Sequence, residues 1–234
     1  MGVKKIKPVK KLQKKPVLPP DTAFERVKKW AEKNYTLAIG VGGATLLAVI
    51  LAWGFISHDR SKQEHAQSAY GLLVQRFPED GKTSPADWES LVPGLQKFIS
   101  EYGNTAPALD ARMELAKAYF ETKRYADAVK AGEEALGLAP QGSNLRPLIM
   151  YQLGYAYEAA GKSDEAFRMW TGLKQLGMIA FEREADWNLA KILESKKELD
   201  KAVEMYQAAS QSPGEFPPSA LIEQQIARVK AEQR

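Results

Sequence analysis

The sequence predicts an all-α protein, with an N-terminal single transmembrane helix followed by an α-solenoid of stacked helix pairs. Three observations predict it. Tyr35 to Ile56 reads YTLAIGVGGATLLAVILAWGFI, 22 residues without a charge. With a helical rise of about 1.5 Å per residue, roughly 20 apolar residues cross the hydrocarbon core of a bilayer. Beyond residue 57 the chain is rich in Ala, Leu, Glu and Lys, with prolines confined to punctuating positions. One pattern in that region then recurs three times at a period of about 34 residues, which marks a repeat architecture.

Residues 1–20 mix seven lysines with Pro8, Pro16, Pro19 and Pro20, a composition that buries nothing and predicts a disordered basic tail. Residues 21–34 follow as a juxtamembrane amphipathic helix. Thr22-x-x-Glu25 fits a capping box, and Phe24, Val27 and Ala31 share one side at helical spacing. This helix is expected to run directly into the span over residues 35–56, with Trp30, Tyr35 and Trp53 at the interfaces.

Charge gives the span a direction. Residues 1–34 hold eleven Lys and Arg against three acidic residues, a net +8, whereas the rest of the chain is a net −4. Basic residues beside a membrane segment stay on the cytoplasmic side. The N-terminus is therefore read as cytoplasmic and residues 57–234 as translocated, into the periplasm if the membrane is a bacterial inner membrane. A cleaved signal peptide fits poorly, because the apolar run is too long and no small-x-small site follows Trp53. The basic cluster suits anionic lipid better than nucleic acid. Within the span, Gly40, Ala44, Ala48 and Ala52 recur every four residues, a face on which another transmembrane helix packs closely.

The translocated part begins with a degenerate helical pair over residues 57–106, carrying Ala66, Ala69, Tyr70 and Leu73, then Trp88, Leu91, Leu95 and Phe98. Three helix pairs occupy residues 107–216. Leu115-Ala116-x-x-Tyr119 leads to Ala128 in the first. Leu153-Gly154-x-x-Tyr157 leads to Ala166 in the second, after a four-residue insertion at Gln141–Asn144. Leu189-Ala190-x-x-Leu193 leads to Ala202 in the third. Ala116, Gly154 and Ala190 sit where a first helix must admit its partner, and Ala128, Ala166 and Ala202 do the same from the second helix. Residues 217–234 supply the capping helix that a terminal repeat requires. These units resemble the tetratricopeptide repeat, although Arg112 stands where the first unit's tryptophan belongs.

No chemistry of catalysis is legible, and the reading is non-enzymatic. The chain has no cysteine, and His58 and His65 are too poorly spaced for a metal on one helix. Gly40-Val41-Gly42-Gly43 lies inside the span and lacks the strand-then-helix context of a phosphate loop. No cofactor, metal or small-molecule substrate is expected. A solenoid instead offers a concave surface lined by first helices. In register, that face presents Asp110, Met113, Lys117 and Phe120, then Leu148, Tyr151, Tyr155 and Glu158, then Glu184, Trp187, Lys191 and Glu194. Met113, Lys117, Phe120, Tyr151, Tyr155, Trp187 and Lys191 form the candidate partner groove, since aromatic and Met side chains beside charges suit polypeptide. The alternative is that Tyr151 and Trp187 sit between helices as core.

The order of parts carries a further resemblance. FERVKKWAEKNYTLAIGVGG, a span ending Ala52-Trp53-Gly54-Phe55, Ser68-Ala69-Tyr70 and then degenerate repeats together resemble the YfgM-type ancillary subunits of the bacterial SecYEG translocon. The resemblance covers residues 22–210 and implies a cytoplasmic N-terminus, a periplasmic repeat domain, and association with translocon subunits, periplasmic chaperones or exported chains. Residues 1–20 exceed that family's usual tail. The repeats alone also resemble the Tol-associated cell-division coordinator, which implies the alternative of a scaffold for another envelope complex, such as a division or respiratory assembly.

Overall fold

The computed structural model describes residues 22–77 and 84–233, so the basic tail of residues 1–20 lies outside the described residues. The chain divides into two compact units, Met1–His58 and Asp59–Arg234.

In the first unit, helix α1 (Ala23–Lys33) opens at Thr22, whose Oγ1 accepts from the Glu25 N–H at 3.3 Å. It closes at Asn34, where φ −125° and ψ 46° leave the helical region. Both the Asn34 backbone N–H and its side-chain Nδ2 donate to the Trp30 carbonyl at 3.0 Å. Asn competes for local carbonyls with its own side chain and so ends helices. α2 (Tyr35–Val74) follows directly as a separate helix. Residue 56 is no helix end. The chain from Ser57 to Ala69 contains no glycine or proline to stop α2, which continues to Val74.

An 18-residue stretch of α2 has a mean hydropathy of 2.1, and the helix is long and apolar enough to cross a bilayer. Leu37, Ile39, Leu46, Leu51 and Phe55 are each more than half exposed. Gly40, Ala44, Ala48 and Ala52 are exposed too, and a side chain added at Gly40 would meet nothing within 4 Å.

In the second unit, the C-terminal part of α2 contacts α3 (Pro85–Tyr102) through side chains. Ala66 is fully buried, and Tyr70 meets Phe98 with ring centroids 5.6 Å apart. α3 starts at a reciprocal cap: Asp87 N–H donates to Ser84 Oγ at 3.3 Å and Ser84 N–H returns to Asp87 Oδ2 at 2.9 Å. Those bonds to the ionised form hold the Asp87 carboxyl below the usual carboxylate range. Then come the pairs α4 (Ala106–Glu121) with α5 (Tyr125–Leu138), α6 (Leu145–Ala159) with α7 (Ser163–Gln175), and α8 (Ile179–Ser195) with α9 (Leu199–Gln211); α10 (Ser219–Glu232) closes the series. Each helix packs chiefly on its neighbour in sequence, and α4 also touches α6.

Small side chains set the crossings within pairs. Ala116, Ala190, Ala128, Ala166 and Ala202 are at most 6% exposed. Gly154 abuts the fully buried Trp170, whose ring atoms lie 2.6 Å from where a Cβ would stand. Between pairs, Gly132 of α5 faces Leu153 of α6 at 2.7 Å in the same sense. Tyr119, Tyr157 and Leu193 fill the adjoining space and are 6–7% exposed. The turn inside each of these three pairs repeats one geometry. Arg124 N–H reaches the Tyr119 carbonyl, Lys162 that of Tyr157 and Glu198 that of Leu193, at 2.8, 2.8 and 2.9 Å. The residue before each donor has positive φ: Lys123 60°, Gly161 74° and Lys197 63°. This six-to-one bond with a left-handed residue is the Schellman stop.

Arginines tie the helix ends together. Arg146 Nη1 donates to the Leu136 and Ala139 carbonyls at the end of α5, and Arg112 Nη1 donates to Gly103 and Ala108. Arg112, Met150 and Asp186 occupy the position the repeat pattern reserves for tryptophan. Asp186 is buried and takes the Lys174 ammonium from α7. Arg183 is buried with all its bonds directed at the α9–α10 connection: Pro217 O at 2.9 Å, Ser212 O at 2.9 Å and Ser219 Oγ at 2.7 Å. Ile222 and Val229 of α10 are fully buried on a second small core with Trp187 and Tyr206.

Gly154→Ala places a methyl group against an immobile Trp170 and is expected to destabilise the repeat body by about 1–3 kcal/mol. Gly137→Ala lies in the same repeat architecture but meets nothing within 4 Å. It should stabilise by up to about 1 kcal/mol through helix propensity alone. Urea unfolding of the two variants in detergent, followed by circular dichroism, checks the opposite signs.

Candidate protein-binding groove

The first helices α4 and α6 run side by side, and their facing side chains enclose a cleft of about 470 Å³. Ala116, Ala128, Gly132, Leu153 and Ala156 supply small or apolar lining, with Lys117, Phe120, Glu121, Tyr151, Gln152 and Tyr155 as its larger groups. The small residues that let the helices approach therefore also leave the hollow. Phe120 is half-buried, its ring 5.6 Å from Tyr125, and Lys117 Nζ lies 4.8 Å over the Trp88 ring.

Two tyrosines form the wall on α6. Tyr151 and Tyr155 meet edge to face at 5.2 Å and both also meet Trp170 edge to face, at 5.8 and 5.0 Å, while Phe181 backs Tyr151 at 5.3 Å. Both phenols donate to the Glu184 carboxylate of α8, Tyr151 at 2.8 Å and Tyr155 to the same Oε1. Asn188 Nδ2 donates to the Tyr155 oxygen at 3.4 Å. Burial, and then the bond to Glu184, pushes Tyr151 up to about 12 and raises Tyr155 further. These phenols are neutral donors at ordinary pH, with no character of a general base or nucleophile.

Of the seven predicted groove residues, Lys117, Phe120, Tyr151 and Tyr155 share this cleft. Trp187 and Lys191 line a separate hollow of about 230 Å³ with Glu194, Tyr206 and Arg228. Trp187 is only 8% exposed, its ring 5.1 Å from that of Tyr206. Met113 is half-buried against the main core. The carboxylates of the predicted face serve as links between helices. Glu158 accepts from Trp170 Nε1 at 2.6 Å and from Lys191 Nζ at 3.0 Å. Glu194 accepts from Tyr206 at 3.0 Å and from Arg228 at 2.6 Å. Sequence reasoning missed Trp170 and Phe181 as the wall behind the tyrosines: Trp170 lies on the second helix α7, and Phe181 lies one turn before Glu184 on α8, ahead of the positions taken for the face. His58 and His65 are exposed, and among the described residues no three His, Cys, Asp or Glu side chains gather as a metal site.

The family model of the tetratricopeptide repeat-like domain matches residues 28–233. Among solved structures, MamA is 18% identical with a TM-score of 0.54, covering 63% of this chain and 80% of its own. A protein of Podosopora anserina with nearly identical repeats of this type is 18% identical with a TM-score of 0.53, covering 76% and 89%. YrrB, described as having an unusual peptide-binding site, is 18% identical with a TM-score of 0.51, covering 63% and 70%. At that identity the likeness is one of fold. Comparison with curated proteins gives no match.

The tyrosines make stability depend on pH in a fixed direction. An unfolded tyrosine ionises near pH 10, and the folded pKa lies higher, so the folded state holds protons that the unfolded state releases. The contribution is complete below about pH 10 and is lost as pH rises toward 12. Tyr151→Phe/Tyr155→Phe is expected to lower stability at neutral pH by about 1–3 kcal/mol and to flatten that alkaline fall. Tyr70, Tyr157 and Tyr206, also raised by burial, sustain the remainder. Urea midpoints measured from neutral to alkaline pH check both effects.

Proposed function

The chain belongs to the tetratricopeptide repeat-like domain family, and on that premise we propose that it is a membrane-anchored scaffold whose repeat groove holds polypeptide on the translocated side. The fold is a protein-interaction scaffold and no catalytic family is indicated. In this reading the partners are translocon subunits, periplasmic chaperones or exported chains, and α2 crosses the bacterial inner membrane once with a cytoplasmic N-terminus.

The observation that carries the reading is the cleft between α4 and α6, apolar at its floor and walled by Phe120, Tyr151 and Tyr155. A rigid aromatic wall buries an apolar side chain of a guest at little entropic cost, and the polar groups beside it satisfy the guest's backbone. The two tyrosines are held in place before binding by Glu184 and Trp170, so less ordering is needed on association. YrrB, of the same fold, is described by its peptide-binding site, which supports the polypeptide as guest. The uncharged run of α2 and its basic flank support the anchor and its direction. The translocon assignment draws on the sequence resemblance, with the Gly40, Ala44, Ala48 and Ala52 face as the surface for a partner transmembrane helix.

Purification of the full chain from membranes in mild detergent tests this. Translocon subunits and exported or chaperone proteins are expected to co-purify. Phe120→Ala should weaken recovery of the chaperone or exported chain roughly ten-fold, the loss of one aromatic anchor, and leave the translocon subunits in place. Recovery of another envelope complex without translocon subunits would overturn the translocon assignment, and full recovery with Phe120→Ala would overturn the groove.

A further inference from the structure

Helix α1 has no buried residue, yet its side chains are sorted by face. At 3.6 residues per turn, Trp30, Ala23, Val27, Ala31 and Phe24 fall within one arc of about 120°. Phe24, Val27 and Trp30 are 78%, 64% and 47% exposed. Lys28 borders one edge of the arc, and Arg26 and Lys33 border the other. Glu25 and Glu32 stand on the opposite side. The two acids thus sit away from the apolar arc, sharing the opposite side with Lys29, and three cations flank the arc.

We propose that α1 lies flat on an anionic phospholipid surface, its apolar arc sunk between headgroups and Arg26, Lys28 and Lys33 bound to lipid phosphates. This deepens the membrane reading of α2 and rests on it. An interfacial helix has this division of faces, and long basic side chains at the arc's edges reach the phosphates while their stems stay apolar. Two features commit the face to lipid. The charge is complementary, with Glu25 and Glu32 turned away from the arc. The face is also continuous with the candidate span, because α2 begins one residue after the break at Asn34. The non-helical Asn34 is the joint at which a helix along the surface would turn from the span.

The chain has no cysteine, so single cysteines at Val27, Lys29 and Val49 can carry an environment-sensitive fluorophore in the full-length protein. The labelled protein is reconstituted in vesicles of phosphatidylglycerol with phosphatidylcholine, and in phosphatidylcholine alone. In the anionic vesicles the Val27 and Val49 labels should report lipid and the Lys29 label water. In phosphatidylcholine alone, or in about 1 M salt, where charges are screened within a few ångströms, the Val27 label should move to water while Val49 stays. Replacing Arg26, Lys28 or Lys33 by Gln should shift the balance of attached to lifted helix about five-fold each, the equivalent of roughly 1 kcal/mol per charge. A wet Val27 beside a lipid-embedded Val49 overturns the proposal and leaves the anchor standing. A wet Val49 removes the anchor and the proposal together. Lipid contact at both Val27 and Lys29 would make α1 an inserted helix. Burial of Val27 regardless of lipid charge would remove the headgroup recognition.

Discussion

Two helices can lie close along their length only where the side chains between them are short, and the repeat body is built on that limit. Each pair carries a buried Ala or a Gly on both of its helices at the repeat's small-residue positions: Ala116 and Ala128, Gly154 and Ala166, Ala190 and Ala202. Gly154 is tight, since a Cβ there would stand 2.6 Å from the ring of Trp170. Protein interiors are filled to near crystal density, so such a position has no slack to absorb an added methyl group. The short residues bring backbones together; the long ones beside them (Trp170, Leu153, Tyr157) fill what remains.

The groove follows from the same constraint. With first helices held at fixed spacing, α4 and α6 stand side by side, and the small residues Ala116, Gly132 and Ala156 leave an apolar hollow between them. Its wall is then locked from behind. Tyr151 and Tyr155 are fixed by Trp170 on one side and by Glu184 on the other. Glu158 and Glu194 are engaged by Lys191 and Arg228, so these two carboxylates bind their own neighbouring helices. In the proposed reading, such a surface takes the apolar side chains of an extended polypeptide segment.

Much of this was legible in the chain because repetition multiplies weak signals. One Leu-Ala-x-x-Tyr motif is common, but the same spacing at 115, 153 and 189 fixes a register, and that register placed Lys117, Phe120, Tyr151 and Tyr155 on a shared face. What escaped was whatever depends on contacts between units. Trp187 belongs to the same face by register but turns toward α9, where Tyr206 covers it. Arg183 looks like a surface charge in sequence, and only the path of the chain from Ser212 to Ser219 makes it a buried tie. Lys123 and Lys197 hold left-handed turns that a Gly, as at Gly161, would have announced. The end of α1 at Asn34 needed the side-chain bond to Trp30, a detail that hydrophobic spacing does not encode.

The most direct measurement is a photo-crosslinking comparison in growing cells, with a benzophenone side chain placed either at Phe120 in the cleft or at Lys130 on the exposed side of α5. If the groove holds polypeptide, the Phe120 position yields adducts with exported chains or their chaperones and the Lys130 position yields none. Equal adducts from both positions, or none from Phe120 in a correctly folded chain, would contradict the account.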